Sequence, residues 1–289
     1  MSGLRIARIP YLNSVPFYAN LDGAGHTLVD MPPRELGKLA ADGSVDAGIL
    51  SLCDLQRTDD FVSLGSVGIA VDGPAHSVLL FTRGAPSDLD GATIAISGET
   101  STSFPLLRLL LEEQMGVTPA AYTRRPHGAE PGDDAQLLIG DAALRLAAAG
   151  GLVPGIADYS ETLIPLARPT AGDWTHVTDL GAAWQRWHDL PFVFARWAVA
   201  HHVAAEARRD LSDRIERSLA THSINLLPLA TENCAVAGLD GEAARAYLAG
   251  FNYQFGPREE AGQQRFLELL AASDWWSREA PQVPVEVGQ

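Results

Sequence analysis

The sequence predicts an α/β fold arranged as two lobes. Three observations in its 289 residues carry this expectation. Strand-like segments alternate with helix-like ones, the pattern of strand–turn–helix units built on mainly parallel sheets. Four strand ends pass through a short run of small polar residues directly into a helix. Turn clusters near Pro86 and at Leu190-Pro191 break the alternation in two places.

In chain order, Leu4 to Ile9 reads as a short strand that Pro10 ends. The turn Tyr11-Leu12-Asn13-Ser14 then opens a helix with Pro16 in its first turn. Pro33 to Ala41 is a short amphipathic helix with Leu36, Leu39 and Ala40 on one side. Val45 to Leu50 is a buried strand, after which Ser51 can cap a helical turn. Ser77 to Arg83 is an apolar strand, Asp88 to Gly91 a turn, and Ala92 to Ser97 the next strand. The polar run Gly98 to Ser103 opens a helix from Phe104 to Met115, which Gly116 stops.

Pro126 to Asp134 is loop-like. Gln136 to Gly140 is a strand, with Asp141 placed to cap the helix Ala142 to Ala149 before Gly150-Gly151. Thr175 to Leu180 and Phe192 to Ala200 are further strands. Beyond them the chain reads as helical over His201 to Leu219, Gly241 to Ala249 and Pro257 to Ala272, with an extended tail from Pro281. The two breaks put residues 1–86 and 190–289 in lobe one and residues 87–189 in lobe two. Two sequential domains are the alternative, which periodicity leaves open.

Composition narrows the function. At 46% hydrophobic and 20% charged residues the chain can bury a core and is not disordered. A formal charge of −15 argues against a nucleic-acid partner or an anionic membrane surface, since both select basic faces. No apolar run approaches the roughly 18 residues a membrane span needs. Cys53 and Cys234 fit no metal or redox spacing, so neither a structural zinc nor a disulfide framework is expected. Met1 to Asn13 lacks the pattern of a secretory signal, which makes a cytoplasmic location the expectation. Lys38 is the only lysine, so no P-loop or Schiff-base lysine is available elsewhere.

The four strand-to-helix turns are the candidate site: Asn13-Ser14, Ser51, Thr100 to Ser103, and Asp141. Ligands of open α/β sheets bind beyond the carboxyl ends of strands, and helix N-termini favour carboxylates and phosphates. Ordinary capping accounts for Ser51 and Asp141, whose charge would oppose an anion. Asn13 and the Thr100 to Ser103 run carry more donors than a cap requires. His76 is either a general base or a loop histidine, and His188-Asp189 reads as a turn. His201-His202 are adjacent and make a poor metal pair on a helix. Trp184 and Trp187 read as core-facing, Trp275-Trp276 as packing the last helix onto the body, and Arg124-Arg125 as a solvated turn. No nucleotide-binding, zinc-protease or serine-hydrolase motif is present.

Taken together, six segments resemble a known family. Arg8 to Tyr18 (RIPYLNSVPFY) resembles the opening signature of the chorismate dehydratases of the futalosine route to menaquinone. Asp46 to Ser51 (DAGILS), Ser77 to Phe81 (SVLLF), Ile139 to Leu144 (IGDAAL), Leu190 to Ala195 with Trp197, and Asn252 to Gly256 (NYQFG) match later family segments in order. Thr82 stands where serine is frequent. The resemblance implies a two-lobed fold like that of type II periplasmic binding proteins, with a ligand cleft between the lobes. It implies loss of water from chorismate to give 3-[(1-carboxyvinyl)oxy]benzoate, with no metal and no organic cofactor.

Placed on the turns, that chemistry puts Asn13 at the reacting centre and assigns substrate binding to Ser14, Ser51, Ser77, Ser101, Thr102, Ser103, Gly140 and Asp141. The Ser101 to Ser103 turn would hold one carboxylate, and Ser77 would fix the substrate from the opposite wall. A carboxamide is too weak a base to take the ring proton, so Asn13 would orient substrate and donate to developing charge. The substrate's own enolpyruvyl carboxylate is a candidate base. The related 1,4-dihydroxy-6-naphthoate synthase and a non-catalytic small-acid-binding protein are the rival readings, because fold alone does not fix function.

Overall fold

A computed structural model describes residues 3–18, 21 and 25–276. The tail expected to be extended from Pro281 lies outside the described residues. Four strands open the chain: β1 (Arg5–Arg8), β2 (Thr27–Asp30), β3 (Ala47–Ser51) and β4 (Phe61–Val71). Six follow in the middle: β5 (Val78–Thr82), β6 (Thr93–Ser97), β7 (Ala121–Arg125), β8 (Ala135–Ile139), β9 (Ile164–Pro165) and β10 (His176–Asp179). Two complete it, β11 (Phe192–Ala200) and β12 (Phe251–Gln254). They form two six-stranded sheets, ordered β12-β4-β11-β3-β1-β2 and β7-β6-β8-β5-β10-β9.

The chain therefore changes sheet between Val71 and Val78, and again between Asp179 and Phe192. Val78–Thr82, expected with the first lobe, pairs within the second sheet. At both crossings a strand arrives from the other sheet and not by a βαβ crossover within its own sheet, so nothing forces it to run parallel. β11 runs antiparallel to β3 and β4, and β5 antiparallel to β8 and β10. The expectation of mainly parallel sheets is corrected accordingly. Parallel pairing is confined to β1 with β2 and β3, and to β6 with β7 and β8.

Five strands escape the sequence pattern, the two-residue β9 among them. β4 is broken up by Ser63, Gly65, Ser66 and Gly68, and its pairing with β11 shifts register twice. Gly68 is needed there, because a Cβ would lie 2.2 Å from the Ala195 carbonyl oxygen. β7 carries Arg124 and Arg125, which are strand residues and not a solvated turn; Arg124 is only 6% exposed. β12 interrupts the stretch read as helical to the end, and β2 is a short, half-exposed edge.

The helices behave more nearly as read. Ser51 caps Leu52–Leu55 by accepting from the Asp54 N–H at 3.1 Å. Ser103–Arg108 continues into a widened π turn, Leu109–Gln114, ahead of Gly116 at φ +67°. Thr175 to Leu180, read as one strand, splits: β10 ends at Asp179, whose carboxylate caps the helix Leu180–His188 through the Ala182 N–H at 3.1 Å. That carboxylate also accepts from the N–H groups of Ala75 (3.0 Å) and His76 (2.7 Å), so one buried side chain ties the two crossing segments together. Trp184 is fully buried against Phe192 and Phe266, as expected of a core-facing residue, while Trp187 is half-buried. Trp275 and Trp276 stack under Arg108 and Arg57, each 4.2 Å from ring centroid to guanidinium carbon. The end of the last described helix is thus laid against both lobes.

Candidate active site

Parallel strands from both sheets end at one cavity. β1 leads to Ile9, Tyr11 and Asn13; β3 ends in Ser51; β6 leads to Glu99 and Ser101–Ser103; β8 leads to Gly140. All of these line one cleft between the two sheets. Ile69, Val78, Ile139, Phe194 and Phe251 give it apolar walls suited to the faces of a ring. Among the described residues, no three His, Cys, Asp or Glu side chains come together as a metal cage.

Seven of the nine residues named from sequence lie on this cavity: Asn13, Ser51, Ser77, Ser101, Thr102, Ser103 and Gly140. The other two do not line it. Ser14 Oγ lies between the carbonyl oxygens of Ile9 (2.5 Å) and Tyr11 (2.8 Å), so it shapes the turn that presents Asn13. Asp141 sits in the first turn of the helix Gly140–Ala149 but does not cap it. Its Oδ1 accepts from the Leu12 N–H at 3.1 Å, across the cleft. Burial pushes the Asp141 pKa up, and the Leu12 N–H partly opposes that.

The hydroxyls of the polar turn are unequal. Thr100 Oγ1 donates to the Ser97 carbonyl at 2.9 Å and is absent from the cavity wall. Ser101 donates to Asp54, and Ser51 donates to the same carboxylate at 2.7 Å from the other side of the cleft. Burial pushes the Asp54 pKa up; the two serines and Arg57, 3.8 Å away, act against it. Ser77 Oγ donates to the Ala75 carbonyl at 3.2 Å and accepts from Tyr247 Oη at 2.8 Å. A hydroxyl has one hydrogen, so Ser51, Ser77 and Ser101 turn lone pairs to the cavity. Thr102 Oγ1 accepts from the Cys53 N–H at 3.1 Å and also hydrogen-bonds the Cys53 thiol, a weak partner. Ser103 and the turn's own N–H groups, with Thr102 beside them, are the donors that face an anion.

Sequence reasoning missed Tyr11 and Glu99 as partners. The Tyr11 hydroxyl donates to Glu99 Oε2 from the opposite lobe. Burial, then the Glu99 carboxylate, push the Tyr11 pKa far above its ordinary value, so the phenol stays protonated. Both residues stand in turns that the sequence singles out; only their meeting across 88 positions was invisible. His76 is placed at the crossing between sheets and not on the cavity, with φ +58°, its ring edge-on to Tyr159 at 4.4 Å. His202 pairs with Asp46 at 2.9 Å, on the surface.

The profile of the menaquinone biosynthesis family matches residues 4–272, which takes in every cavity-lining residue from Ile9 to Phe251. The chain belongs to that family. It is also 33% identical over 281 residues to the chorismate dehydratase of Thermus thermophilus, covering 90% of this chain and 95% of that one. Among solved structures, protein AF1704 of Archaeoglobus fulgidus superposes with a TM-score of 0.72 at 18% identity, covering 94% of this chain and 97% of that one. The alkanesulfonate-binding protein SsuA of Xanthomonas axonopodis pv. citri superposes with a TM-score of 0.62 at 15% identity, covering 94% and 93%. These likenesses establish the two-lobed binding-protein fold. No helix among the described residues is long and apolar enough to cross a membrane.

Proposed function

We propose that the protein is a chorismate dehydratase, a hydro-lyase that converts chorismate to 3-[(1-carboxyvinyl)oxy]benzoate and water in menaquinone biosynthesis by the futalosine route. The observation that carries this is the near-full-length similarity to the Thermus dehydratase, joined to a cavity that suits a small ring acid. The apolar walls take the ring faces. Thr102, Ser103 and the N–H groups of their turn hold the ring carboxylate at the start of a helix, where partial positive charge collects. Removing the hydrogen on the ether-bearing ring carbon sends negative charge through the diene into that carboxylate, so these donors stabilise the carbanion. Asn13, on the facing turn, orients the ring and donates to the departing hydroxyl. Aromatisation drives the second step.

The cytoplasm is the proposed compartment, in keeping with two free thiols, Cys53 and Cys234. Incubation of the purified protein with chorismate, followed for a new benzoate chromophore, tests the assignment. Turnover supports it. Binding of chorismate without turnover points to a carrier, and turnover only of a cyclised futalosine product points to the naphthoate synthase.

A further inference from the structure

We propose that Tyr11 and Glu99 are positioning residues that latch the two lobes over the ligand, so that substrate enters and product leaves when their hydrogen bond breaks. The ligand's identity rests on the dehydratase reading; the latch rests on where the two side chains stand. The Tyr11 hydroxyl, on the turn after β1, donates to Glu99 Oε2, on the turn after β6. Both side chains line the cavity, so this bond spans the ligand's own space. Leu12, Cys53 and Asp54 also bond across the lobes, but they do not line the cavity.

The pair has open space behind it. Besides the cavity, Glu99 lines an outer hollow of lobe two with Ser97, Arg125 and Arg145. Besides the cavity, Tyr11 lines a hollow of lobe one with Arg8 and Val15. The bond therefore stands between the inner cavity and the outer hollows, where a closure has to be to retain a ligand.

The latch and the ligand use the same two turns. Tyr11 is two residues from Asn13, and Glu99 is two from Ser101. A ligand held between Asn13 and the Ser101–Ser103 turn draws the two turns together, and a formed latch holds them ready for the ligand. The coupling is reciprocal: whatever the ligand adds to the latch, the latch adds to the ligand's affinity. A hydrogen bond to a carboxylate is about twice as strong as a neutral one. The Tyr11 ring is seated on Gly140, where a Cβ would lie 2.8 Å from Cε2, so the hydroxyl is aimed by packing. Burial and the Glu99 carboxylate keep that hydroxyl protonated, so the donor persists into the alkaline range.

The test follows lobe opening and ligand release in the full chain. The Leu12 and Cys53 amides donate to acceptors in the other lobe, so both exchange hydrogen with solvent when the lobes part. Tyr11→Phe keeps the ring and removes the bond, and is expected to speed exchange at both amides about tenfold in the ligand-free protein, read by NMR. Cys53 decides, because it stands on a separate element and fraying of the Tyr11 turn alone reaches only Leu12. The same variant is expected to release 3-[(1-carboxyvinyl)oxy]benzoate about tenfold faster in stopped-flow displacement, and to raise KM for chorismate more than it lowers kcat. Glu99→Gln keeps an acceptor without the charge and is expected to fall between wild type and Tyr11→Phe. Tyr11→Phe with wild-type exchange at Cys53, or with wild-type release of product, overturns the latch. A wild-type protein that leaves chorismate unchanged fails the dehydratase reading instead, and exchange at Cys53 then decides the latch by itself.

Discussion

The Leu12 N–H donates to Asp141 Oδ1 at 3.1 Å, joining residues 129 positions apart in the two lobes. A buried carboxylate that fails to cap its own helix is thereby explained: it tethers one lobe to the other. Asp141→Ala leaves that N–H without its acceptor and is expected to cost about 1–3 kcal/mol in urea unfolding. Asp141→Asn keeps an acceptor and is expected to cost less. The sign of the pH dependence follows from burial, which raises the Asp141 pKa in the folded state. The stability Asp141 contributes is complete below the ordinary carboxylate pKa and is lost as pH rises through the raised value. Asn does not titrate, so the Asn variant should gain on wild type as pH climbs from acid to neutral. A constant difference across that range would contradict this.

Gly140 meets two demands at once. Its φ is +60°, and a Cβ there would lie 2.8 Å from Tyr11 Cε2. Gly116 has a similar φ of +67°, but a methyl group placed there would meet nothing within 4 Å. Both Gly→Ala changes should cost about 1–2 kcal/mol of backbone strain, visible in thermal unfolding. Only Gly140→Ala should also damage turnover, by about tenfold or more in kcat/KM, because it displaces the ring that holds Glu99. Equal activity in the two variants would separate Tyr11 from catalysis.

How much of this was legible in the sequence depends on range. Ser51 and Gly116 act within a few residues of themselves, and the sequence reads them correctly as cap and stop. Asn13, Ser101, Thr102 and Ser103 were legible because strand ends of α/β sheets gather at one place, whatever the path between them. Asp141 misled for the opposite reason: its position beside a helix start signals a cap, while its partner Leu12 is distant. The mainly parallel expectation failed because alternation of elements does not encode direction when a strand is fed from another sheet. The proton inventory of each hydroxyl was also out of reach, since Asp54 draws on Ser51 and Ser101 from two lobes.

Asn13 lines the cavity from the single 3-10 turn Leu12–Ser14, whose backbone Ser14 fixes through the Tyr11 carbonyl. Asn13→Ala is expected to fold normally, with a melting temperature near wild type, and to lose about 10²-fold or more in kcat, the cost of removing one positioned donor. A folded Asn13→Ala protein at full rate would remove Asn13 from the chemistry. Asn13→Asp keeps the shape but adds a charge facing a dianion, so its defect should appear chiefly as a raised KM.

The net charge of −15 repels a dianion at long range, so affinity is left to local groups, and Arg124 behind the polar turn is expected to contribute. Its guanidinium lies behind the polar turn, where Nη1 donates to the Thr100 carbonyl at 3.1 Å and reaches Thr100 Oγ1 at 3.3 Å. No carboxylate comes within ion-pair distance of it among the described residues, and its Nε has no partner. Burial, then repulsion from Arg34 and Arg57, push its pKa down to about 10, with Asp54 opposing; it remains a cation at neutral pH. A buried charge with no carboxylate at ion-pair distance is costly in the free protein and is relieved when an anion binds the turn in front of it. Arg124→Met should therefore leave stability unchanged or improved while raising KM for chorismate about tenfold or more, worth about 1.4 kcal/mol per factor of ten. Arg124→Lys keeps the charge but loses the planar fork that grips Thr100, and should fall between. Urea unfolding and steady-state kinetics on the same preparations separate the two effects. A destabilised Arg124→Met protein with unaltered KM would make Arg124 a strut of the turn and nothing more.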